Sequence, residues 1–226
     1  MENIINKYDL FIFDLDDTLV KTEHIHYEAW LITLKKFVNE DFFIENDFFF
    51  SKFHSLEQNS IINYLSLELK LNNVSEVINY KNSLYLDLLR KNINEIEMID
   101  GIEILLNLIV NNNKKFVIVS NSPKNNIDFF LEKFPILKNS SKNYYRELFN
   151  FKKPNPECYL MVLKDFPNEK KIGFEDSITG IEALTQVNEI FPVFINNQNY
   201  IHYNFIINNY KNIDTIKNYY ELLRNS

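Results

Sequence analysis

Hydrophobic residues follow two different patterns along the chain, and the change between them divides the sequence. Residues 8–13 form a short continuous apolar run, which is typical of a strand buried on both faces of a parallel sheet. Between residues 22 and 98 apolar residues recur every three or four positions, and this pattern predicts helices over 23–38, 56–69 and 74–93. This long segment is therefore predicted to be a helical insert placed directly after the first strand.

After residue 100 short apolar runs alternate with helical patterns. The predicted strands cover residues 114–120, 170–176 and 191–195, and the predicted helices cover 102–112, 124–134, 157–166, 178–187 and 214–223. Strands that alternate with helices form parallel sheets joined by right-handed crossovers. We therefore predict an α/β fold in which residues 1–20 and 99–226 form a Rossmann-like parallel sheet with helices on both faces, and residues 21–98 form a separate helical domain.

Carboxylates gather where three of the predicted strands end. Asp14 and Asp16 follow the first strand, Ser120 follows the next, and Glu175 and Asp176 end the third. We expect all of them at one edge of the sheet, because the reactive site of an open parallel sheet lies beyond the carboxyl ends of its strands.

This group of side chains predicts a particular chemistry. Carboxylates this close disfavour each other's ionised form, so the cluster calls for a cation, and oxygen ligands suit Mg²⁺. A hydroxyl, together with a lysine from the loop FKKPNP, suits phosphate oxygens. Phosphoryl transfer needs little beyond positioning and charge neutralisation, and an aspartate can serve as its nucleophile.

Four motifs follow one another along the chain: DLDDT from residue 14, VIVSNS ending at residue 122, KKPNPECY around Lys153 and GFEDSITGIEA from residue 173. Together they resemble the motifs of the haloacid dehalogenase superfamily of phosphotransferases. The resemblance covers essentially the whole chain. It implies a Mg²⁺-dependent phosphatase that hydrolyses a small phosphorylated metabolite, such as a sugar phosphate, through an aspartyl-phosphate. A β-phosphoglucomutase-like phosphomutase shares every core residue and stays the alternative.

The resemblance assigns the chemical steps to the first motif. Asp14 is implied to be the nucleophile, and Asp16 the acid that protonates the leaving oxygen and then the base that activates water. Thr18 would orient that pair. We expect Asp17 to be structural and to accept backbone N–H groups in the turn.

The other motifs supply binding groups. Ser120, Asn121 and Lys153 are implied to hold the transferring phosphoryl group, and Lys153 would also keep Asp14 ionised. Asn121 and Ser122 have a second interpretation, as caps of the following helix. The implied Mg²⁺ ligands are Asp14, Asp16 through its backbone carbonyl, Asp176, and Glu175 either as a ligand or next to one.

The helical insert resembles the α-helical cap of the superfamily's first cap class, which excludes water and selects the leaving group. Within it, His26 in HYEAW and Lys81 in KNSLY are similar to substrate-binding and catalytic positions of β-phosphoglucomutase and its nearest sugar-phosphate phosphatases. The alternative is that His26 only packs on a helix and that Lys81 is solvated. The chain departs from the mutase pattern at two places. Lys21 stands where the family usually has an acidic residue after the first motif, and the arginine of the mutase's cap loop has no clear equivalent. Lys52 or His54 would substitute for that arginine.

Composition narrows the classes of function. The chain has 226 residues, of which 46% are hydrophobic, so it can bury one sizeable core and a smaller unit. A net charge of -7 argues against a sequence-independent nucleic-acid binder. One cysteine, Cys158, is expected to be a buried hydrophobe and fits a reducing cytoplasm, and the apolar run near the N-terminus is too short to span a membrane. We expect a cytoplasmic monomer without nucleic-acid or membrane partners.

Two further classes remain to be weighed. A non-catalytic protein that binds phosphorylated ligands or a protein partner would be stabilised by Mg²⁺ without turnover, but such a protein has no physical reason to keep so unfavourable a carboxylate cluster. A dehalogenase would need neither Mg²⁺ nor Asp16. The identity of the substrate, the choice between phosphatase and mutase, and the oligomeric state stay open at this point.

Overall fold

The protein is divided by its internal contacts into two units. The computed structural model describes residues 4–46, 48–49, 53, 58–196 and 203–223. One unit combines Met1–Lys21 with Glu97–Ser226, and the other comprises Thr22–Ile96. We refer to them as the core unit and the insert unit.

The core unit is built on a six-stranded sheet in which every neighbouring pair is parallel. The strands are β1 (Leu10–Phe13), β2 (Lys115–Val119), β3 (Lys142–Tyr144), β4 (Lys171–Glu175), β5 (Ile190–Ile195) and β6 (Asp214–Ile216). Their order is β3-β2-β1-β4-β5-β6, so the chain crosses β1 between β3 and β4. Such a switch in strand order opens a crevice at the carboxyl ends of the strands. The predicted Rossmann-like α/β fold is confirmed.

Helices connect the strands and make up the insert unit. In chain order they are α1 (Ile4–Lys7), α2 (Glu23–Phe37), α3 (Gln58–Asn63), α4 (Val74–Lys91), α5 (Ile102–Asn111), α6 (Lys124–Lys133), α7 (Glu157–Asp165), α8 (Ile178–Thr185), α9 (Tyr203–Asn209) and α10 (Tyr220–Leu223). A π-helical segment, Tyr64–Glu68, continues α3, and 3-10 turns at Pro135–Asn139 and Arg146–Leu148 flank β3. None of the helices in the described part of the chain combines the length and the apolar character needed to cross a membrane.

Strand β1 is buried at all four positions because both faces of the sheet are covered. Successive side chains of a strand point to opposite faces. Leu10 and Ile12 belong to a hydrophobic cluster that includes residues of α7 and α8. On the other face the ring of Phe13 stacks on Phe174 at 4.8 Å and meets Tyr219 at 6.0 Å between centroids. The residue after β1 is therefore held in place by packing on both sides.

The insert unit has a hydrophobic cluster of its own. Helix α2 packs on α4, and Trp30, Leu34 and Val77 are buried between elements of this unit. Phe49 and Phe53, from the aromatic segment after α2, join the same cluster. The insert unit therefore buries enough apolar surface to form a separate folded layer.

The observed elements differ from the predicted ones in several places, and α1 and α9 were not predicted. The first strand begins at Leu10 rather than at residue 8. Strand β3 was not predicted, because it has only three residues and reads KNY. Residues 214–216 were predicted to begin the last helix but form β6, where they pair in parallel with β5, and the helix is limited to Tyr220–Leu223. Hydrogen bonds to a neighbouring strand outweigh the short helical pattern.

Candidate active site

Polar residues lie at the carboxyl ends of three adjacent strands. Asp14 follows β1, Ser120 follows β2, and Asp176 follows Glu175 at the end of β4. Lys153 lies in the loop that precedes α7. All five side chains are buried. The sheet thus brings residues from four distant segments of the sequence to one edge.

The ammonium group of Lys153 is at the centre of this arrangement. Its Nζ lies 2.6 Å from Asp14 Oδ1 and 2.5 Å from Glu175 Oε1, and it donates to the backbone carbonyl of Val119 at 2.7 Å. These contacts use the three donors of a lysine. Burial acts to lower the pKa of Lys153, but the charges of Asp14 and Glu175 outweigh it and raise the pKa. The lysine is therefore positively charged at neutral pH.

The carboxylates around this lysine form a cluster that fits a metal ion. Oxygen atoms of Asp14, Glu175 and Asp176 all lie within 4.8 Å of one another. Burial raises the pKa of Asp14 and of Asp176 well above the ordinary value, and the neighbouring carboxylates raise it further. Lys153 opposes the shift of Asp14. A buried, oxygen-only group with this excess of negative charge suits a hard divalent cation such as Mg²⁺.

Asp16 is half-buried, and its charge also raises the pKa of the neighbouring Asp14. Asp16 Oδ2 accepts a hydrogen bond from Ser122 Oγ at 2.7 Å, and the backbone N–H of Ser122 donates to Ser120 Oγ at 3.0 Å. The alternative role of Ser122 as a helix cap is not observed, since α6 begins after Pro123 and no side-chain cap is present there. Ser122 instead connects Asp16 to the loop after β2.

Asn121 is engaged with the backbone of Lys153. Its Oδ1 accepts from the Lys153 N–H at 3.0 Å, and its Nδ2 donates to the Lys153 carbonyl at 3.4 Å. This reciprocal pair fixes the loop that carries the lysine. For its predicted role in phosphate binding, Asn121 would use the second N–H of its side-chain amide.

Thr18 has a different partner from the predicted one. Its hydroxyl donates to Asp176 Oδ1 at 3.0 Å, so it orients the carboxylate after β4, although the sequence had suggested the pair Asp14 and Asp16. Asp17 is buried in the turn with a positive φ of 55°, and its N–H donates to the Val20 carbonyl at 2.7 Å. A short polar side chain tolerates this left-handed conformation better than most.

Two residues at the site were not singled out from the sequence. The hydroxyl of Tyr159, on α7, donates a short hydrogen bond to Glu175 Oε1. Gly180, on α8, faces the same carboxylate so closely that a Cβ at this position would overlap it. Both residues stand inside the quoted motifs, KKPNPECY and GFEDSITGIEA, which was the available signal.

The profile of one protein family matches most of the chain. It is described as haloacid dehalogenase-like hydrolase and matches residues 11–189, a range that includes all four loops of the site. The chain belongs to this family. The resemblance drawn from the four motifs is thereby confirmed at the level of the haloacid dehalogenase-like hydrolases.

Several solved structures are similar to this chain over 85% or more of its length. A HAD hydrolase of family IA, variant 3, from Entamoeba histolytica has a TM-score of 0.76 at 22% identity, covering 94% of this chain and 94% of that chain. CbbY from Rhodobacter sphaeroides, in complex with phosphate, has a TM-score of 0.75 at 18% identity, covering 95% and 96%. A β-phosphoglucomutase from Clostridium difficile has a TM-score of 0.67 at 25% identity, covering 85% and 86%. The similarity supports the shared fold of core and insert.

The insert unit of this haloacid dehalogenase-like hydrolase holds a second pair of candidate residues. His26 Nδ1 and Lys81 Nζ lie 2.9 Å apart. The ring of His26 stacks on Tyr85 at 4.0 Å, and Lys81 is buried with its Nζ 5.0 Å from the Tyr85 ring centre. The alternative in which Lys81 is a solvated surface lysine is therefore wrong.

The structure describes one of the two departures from the mutase pattern. Lys21, which replaces an acidic residue, forms ion pairs within the core unit with Asp100 at 2.9 Å and Glu97 at 3.3 Å. Lys52 and His54, the suggested substitutes for the missing arginine, lie outside the described residues. Cys158 is fully buried as expected, and burial raises the pKa of its thiol to about 12.

Proposed function

We propose that the protein is a Mg²⁺-dependent phosphatase that hydrolyses a small phosphorylated metabolite, such as a sugar phosphate, through an aspartyl-phosphate on Asp14. The observation that carries this proposal is the contact of Lys153 with Asp14 inside a buried cluster that includes Glu175 and Asp176. The similarity to CbbY, whose structure was solved in complex with phosphate, supports a phosphate ligand.

The reaction proceeds in two steps in this proposal. A carboxylate oxygen of Asp14 attacks the phosphorus atom, the bond to the leaving oxygen breaks, and Asp16 gives that oxygen its proton. Asp16 then takes a proton from water, which attacks the phosphorus of the aspartyl-phosphate and releases inorganic phosphate with regeneration of Asp14. The contact of Ser122 with Asp16 supports this role, because it orients the carboxyl group that must hold and return the proton.

The other core residues bind and neutralise charge. The Ser120 hydroxyl would bind the phosphoryl oxygens, and the charge of Lys153, whose three donors are occupied by Asp14, Glu175 and the Val119 carbonyl, would attract them. Lys153 also lowers the pKa of Asp14 against the effect of burial, which favours the ionised nucleophile. The residues that would hold Mg²⁺ are Asp14, the backbone carbonyl of Asp16, Asp176, and Glu175 as a ligand or next to one. When bound, Mg²⁺ neutralises the charge that spreads over the phosphoryl oxygens during transfer.

We propose that the insert unit acts as the cap that selects the leaving group, with His26 and Lys81 as its substrate-binding residues. The burial of Lys81 and its contact with His26 support a preorganised site. We further propose a cytoplasmic monomer, in agreement with the single buried cysteine, which fits a reducing compartment.

A phosphomutase is the second candidate. The observation that favours it is again the His26–Lys81 contact, together with the similarity to the Clostridium difficile β-phosphoglucomutase. A mutase would use the same Asp14 and Asp16 but return the phosphoryl group to a sugar hydroxyl instead of to water.

The decisive experiment is ³¹P NMR of the purified protein with Mg²⁺ and a panel of phosphorylated metabolites, including hexose 1-phosphates with a bisphosphate primer. Wild-type protein is expected to release inorganic phosphate, Asp14→Asn to release none, and Asp165→Asn, which changes a carboxylate outside the site, to behave like wild type.

Phosphate release by Asp14→Asn would contradict the mechanism. Conversion of a 1-phosphate into a 6-phosphate without free phosphate would establish the mutase instead. Stabilisation by Mg²⁺ without turnover of any phosphoester would support a binding protein.

A further inference from the structure

We propose that Tyr159 is a positioning residue of the active site, whose hydroxyl fixes the Glu175 carboxylate that in turn holds Lys153 against Asp14. This inference rests on the proposed function, in which Lys153 serves the Asp14 nucleophile. Tyr159 is not assigned to substrate binding, because its hydroxyl acts through Glu175.

The contacts form a continuous buried chain. Glu175 Oε1 accepts from Lys153 Nζ at 2.5 Å and from the Tyr159 hydroxyl through a short hydrogen bond. Lys153 Nζ reaches Asp14 Oδ1 at 2.6 Å. All four side chains are buried, so water does not compete with these donors.

The second oxygen of Glu175 is confined as well. Its Oε2 accepts from Ser177 Oγ at 3.5 Å, and the backbone of α8 approaches it at Gly180, where a Cβ would overlap the carboxylate. The carboxylate is therefore held on both sides, by a tyrosine of α7 and a glycine of α8. In this arrangement Glu175 fixes the lysine, which leaves Asp14 and Asp176 as the carboxylates directed to the cation.

A tyrosine hydroxyl is suited to this task because it is a neutral donor. It orients Glu175 without adding a charge, so the positive charge of Lys153 is shared only between Asp14 and Glu175 in this set of contacts. Phenylalanine would fill nearly the same space but leave Glu175 Oε1 with one donor fewer. Rotation of the carboxylate would then move the lysine, and small misplacements of catalytic groups lower rates strongly.

The chain offers a matched control in Tyr144. It belongs to the same hydrophobic cluster as Tyr159, is fully buried, and donates its hydroxyl to Asp165 Oδ2 at 2.6 Å. Tyr144→Phe thus removes the same kind of hydrogen bond from a carboxylate that takes no part in the site.

The first test compares the kinetics of Tyr159→Phe and Tyr144→Phe with p-nitrophenyl phosphate. Tyr159→Phe is expected to lower kcat about tenfold, with KM and the Mg²⁺ concentration for half-maximal rate changed less than about twofold. Tyr144→Phe is expected to keep kcat while losing thermal stability. An equal kcat for both variants, or a large rise in the Mg²⁺ requirement of Tyr159→Phe, would overturn the proposal.

The second test needs no substrate and follows the ammonium group of Lys153 by ¹H–¹⁵N NMR in the metal-free protein, with Lys153→Met used for assignment. The signal is expected in the wild type and in Tyr144→Phe, and shifted or broadened beyond detection in Tyr159→Phe. An unchanged signal in Tyr159→Phe would refute the positioning role. If the wild type hydrolyses no phosphoester, the proposed function fails while this measurement still decides the role of Tyr159.

If Tyr159→Phe does not fold, Glu175→Gln tests the same link from the other side. It retains the size of the side chain but removes the charge that holds the lysine, so we expect the same change in the Lys153 signal and a larger loss of kcat than the tenfold expected above. A wild-type signal together with wild-type kcat in Glu175→Gln would overturn the proposal.

Discussion

Each unit of the protein has a buried lysine among its candidate site residues, and these two lysines have different partners. Lys153 in the core unit is 5% exposed and contacts two carboxylates and a backbone carbonyl. Lys81 in the insert unit is 7% exposed, and its contacts include the imidazole of His26 and the rings of Trp30 and Tyr85. Burial alone therefore does not distinguish a lysine bound by two carboxylates from one whose contacts include an imidazole and two aromatic rings.

The difference predicts unequal consequences of losing each lysine. Removal of Lys153 would leave Asp14 and Glu175 buried without a counter-charge, which is strongly unfavourable. Removal of Lys81 would take away its contact with His26 Nδ1, and the loss of one hydrogen bond is smaller. The core site thus depends on charge neutralisation, whereas the proposed role of the insert pair is to recognise a polar group.

The largest effect is expected for Lys153→Met. We expect loss of phosphatase activity by about a thousandfold or more and a decrease of about 3–5 kcal/mol in the free energy of unfolding, because two carboxylates lose their buried partner. Denaturant unfolding and the rate of phosphate release measure the two quantities.

Lys171→Met is the control for this prediction. Lys171 is also buried in the core unit, but its ammonium donates to the Glu169 carbonyl, and burial lowers its pKa. The free energy of unfolding is expected to change by less than about 1 kcal/mol. Equal destabilisation by the two variants would contradict the special position of Lys153.

The next effect concerns the cation. Mg²⁺ at about 100 times its dissociation constant is expected to raise the free energy of unfolding by about 2.7 kcal/mol, because it binds only the folded carboxylate cluster. Asp176→Asn should abolish this response, and Lys81→Met should retain it. The measurement is thermal unfolding with Mg²⁺ and with a chelator, and a full response in Asp176→Asn would refute the assigned ligand.

A smaller and more selective effect is expected for Lys81→Met. The rate with a sugar phosphate should fall about tenfold, whereas the rate with p-nitrophenyl phosphate should stay within about twofold, because only the sugar offers hydroxyl groups to the proposed His26–Lys81 pair. Steady-state kinetics with both substrates test this. A similar decrease for both substrates would indicate that Lys81 supports the chemical step rather than recognition.

The smallest effect is expected at a carboxylate outside both lysine sites. Hydrogen bonds from Lys142 and then from Tyr144 lower the pKa of Asp165. The ionised Asp165 carboxylate therefore stabilises the fold at pH values above about 3.9, its pKa in the unfolded chain. This stabilisation is lost as the pH falls through the lower pKa that Asp165 has in the folded protein. Asp165→Asn should decrease stability by less than about 1 kcal/mol at pH 7, and the difference should vanish in acid. Denaturant unfolding midpoints of the wild type and Asp165→Asn, recorded between about pH 2 and pH 7, measure this difference in stability.

The order of strands and helices could be predicted because hydrophobic periodicity is a local property. The apolar runs predicted β1, β2, β4 and β5 and helices between them, whereas β3 has three residues without a periodic signal and the three residues of β6 begin a helical pattern. Their pairing depends on hydrogen bonds to strands that are distant in sequence. The four motifs similarly predicted the family, since their residues follow one another in a recognisable order.

The sequence by itself determined which residues follow each strand, and parallel strands end at one edge, so the gathering of carboxylates there could be anticipated. Only the tertiary structure decided the partners. Thr18 contacts Asp176 across 158 positions, Ser122 contacts Asp16 across 106, and Tyr159 reaches Glu175 of β4 from α7. The physical reason is that hydrogen bonds require approach within about 3 Å, and this is set by the pairing of β1 with β2 and β4 and by the packing of α7 on the sheet rather than by any local pattern.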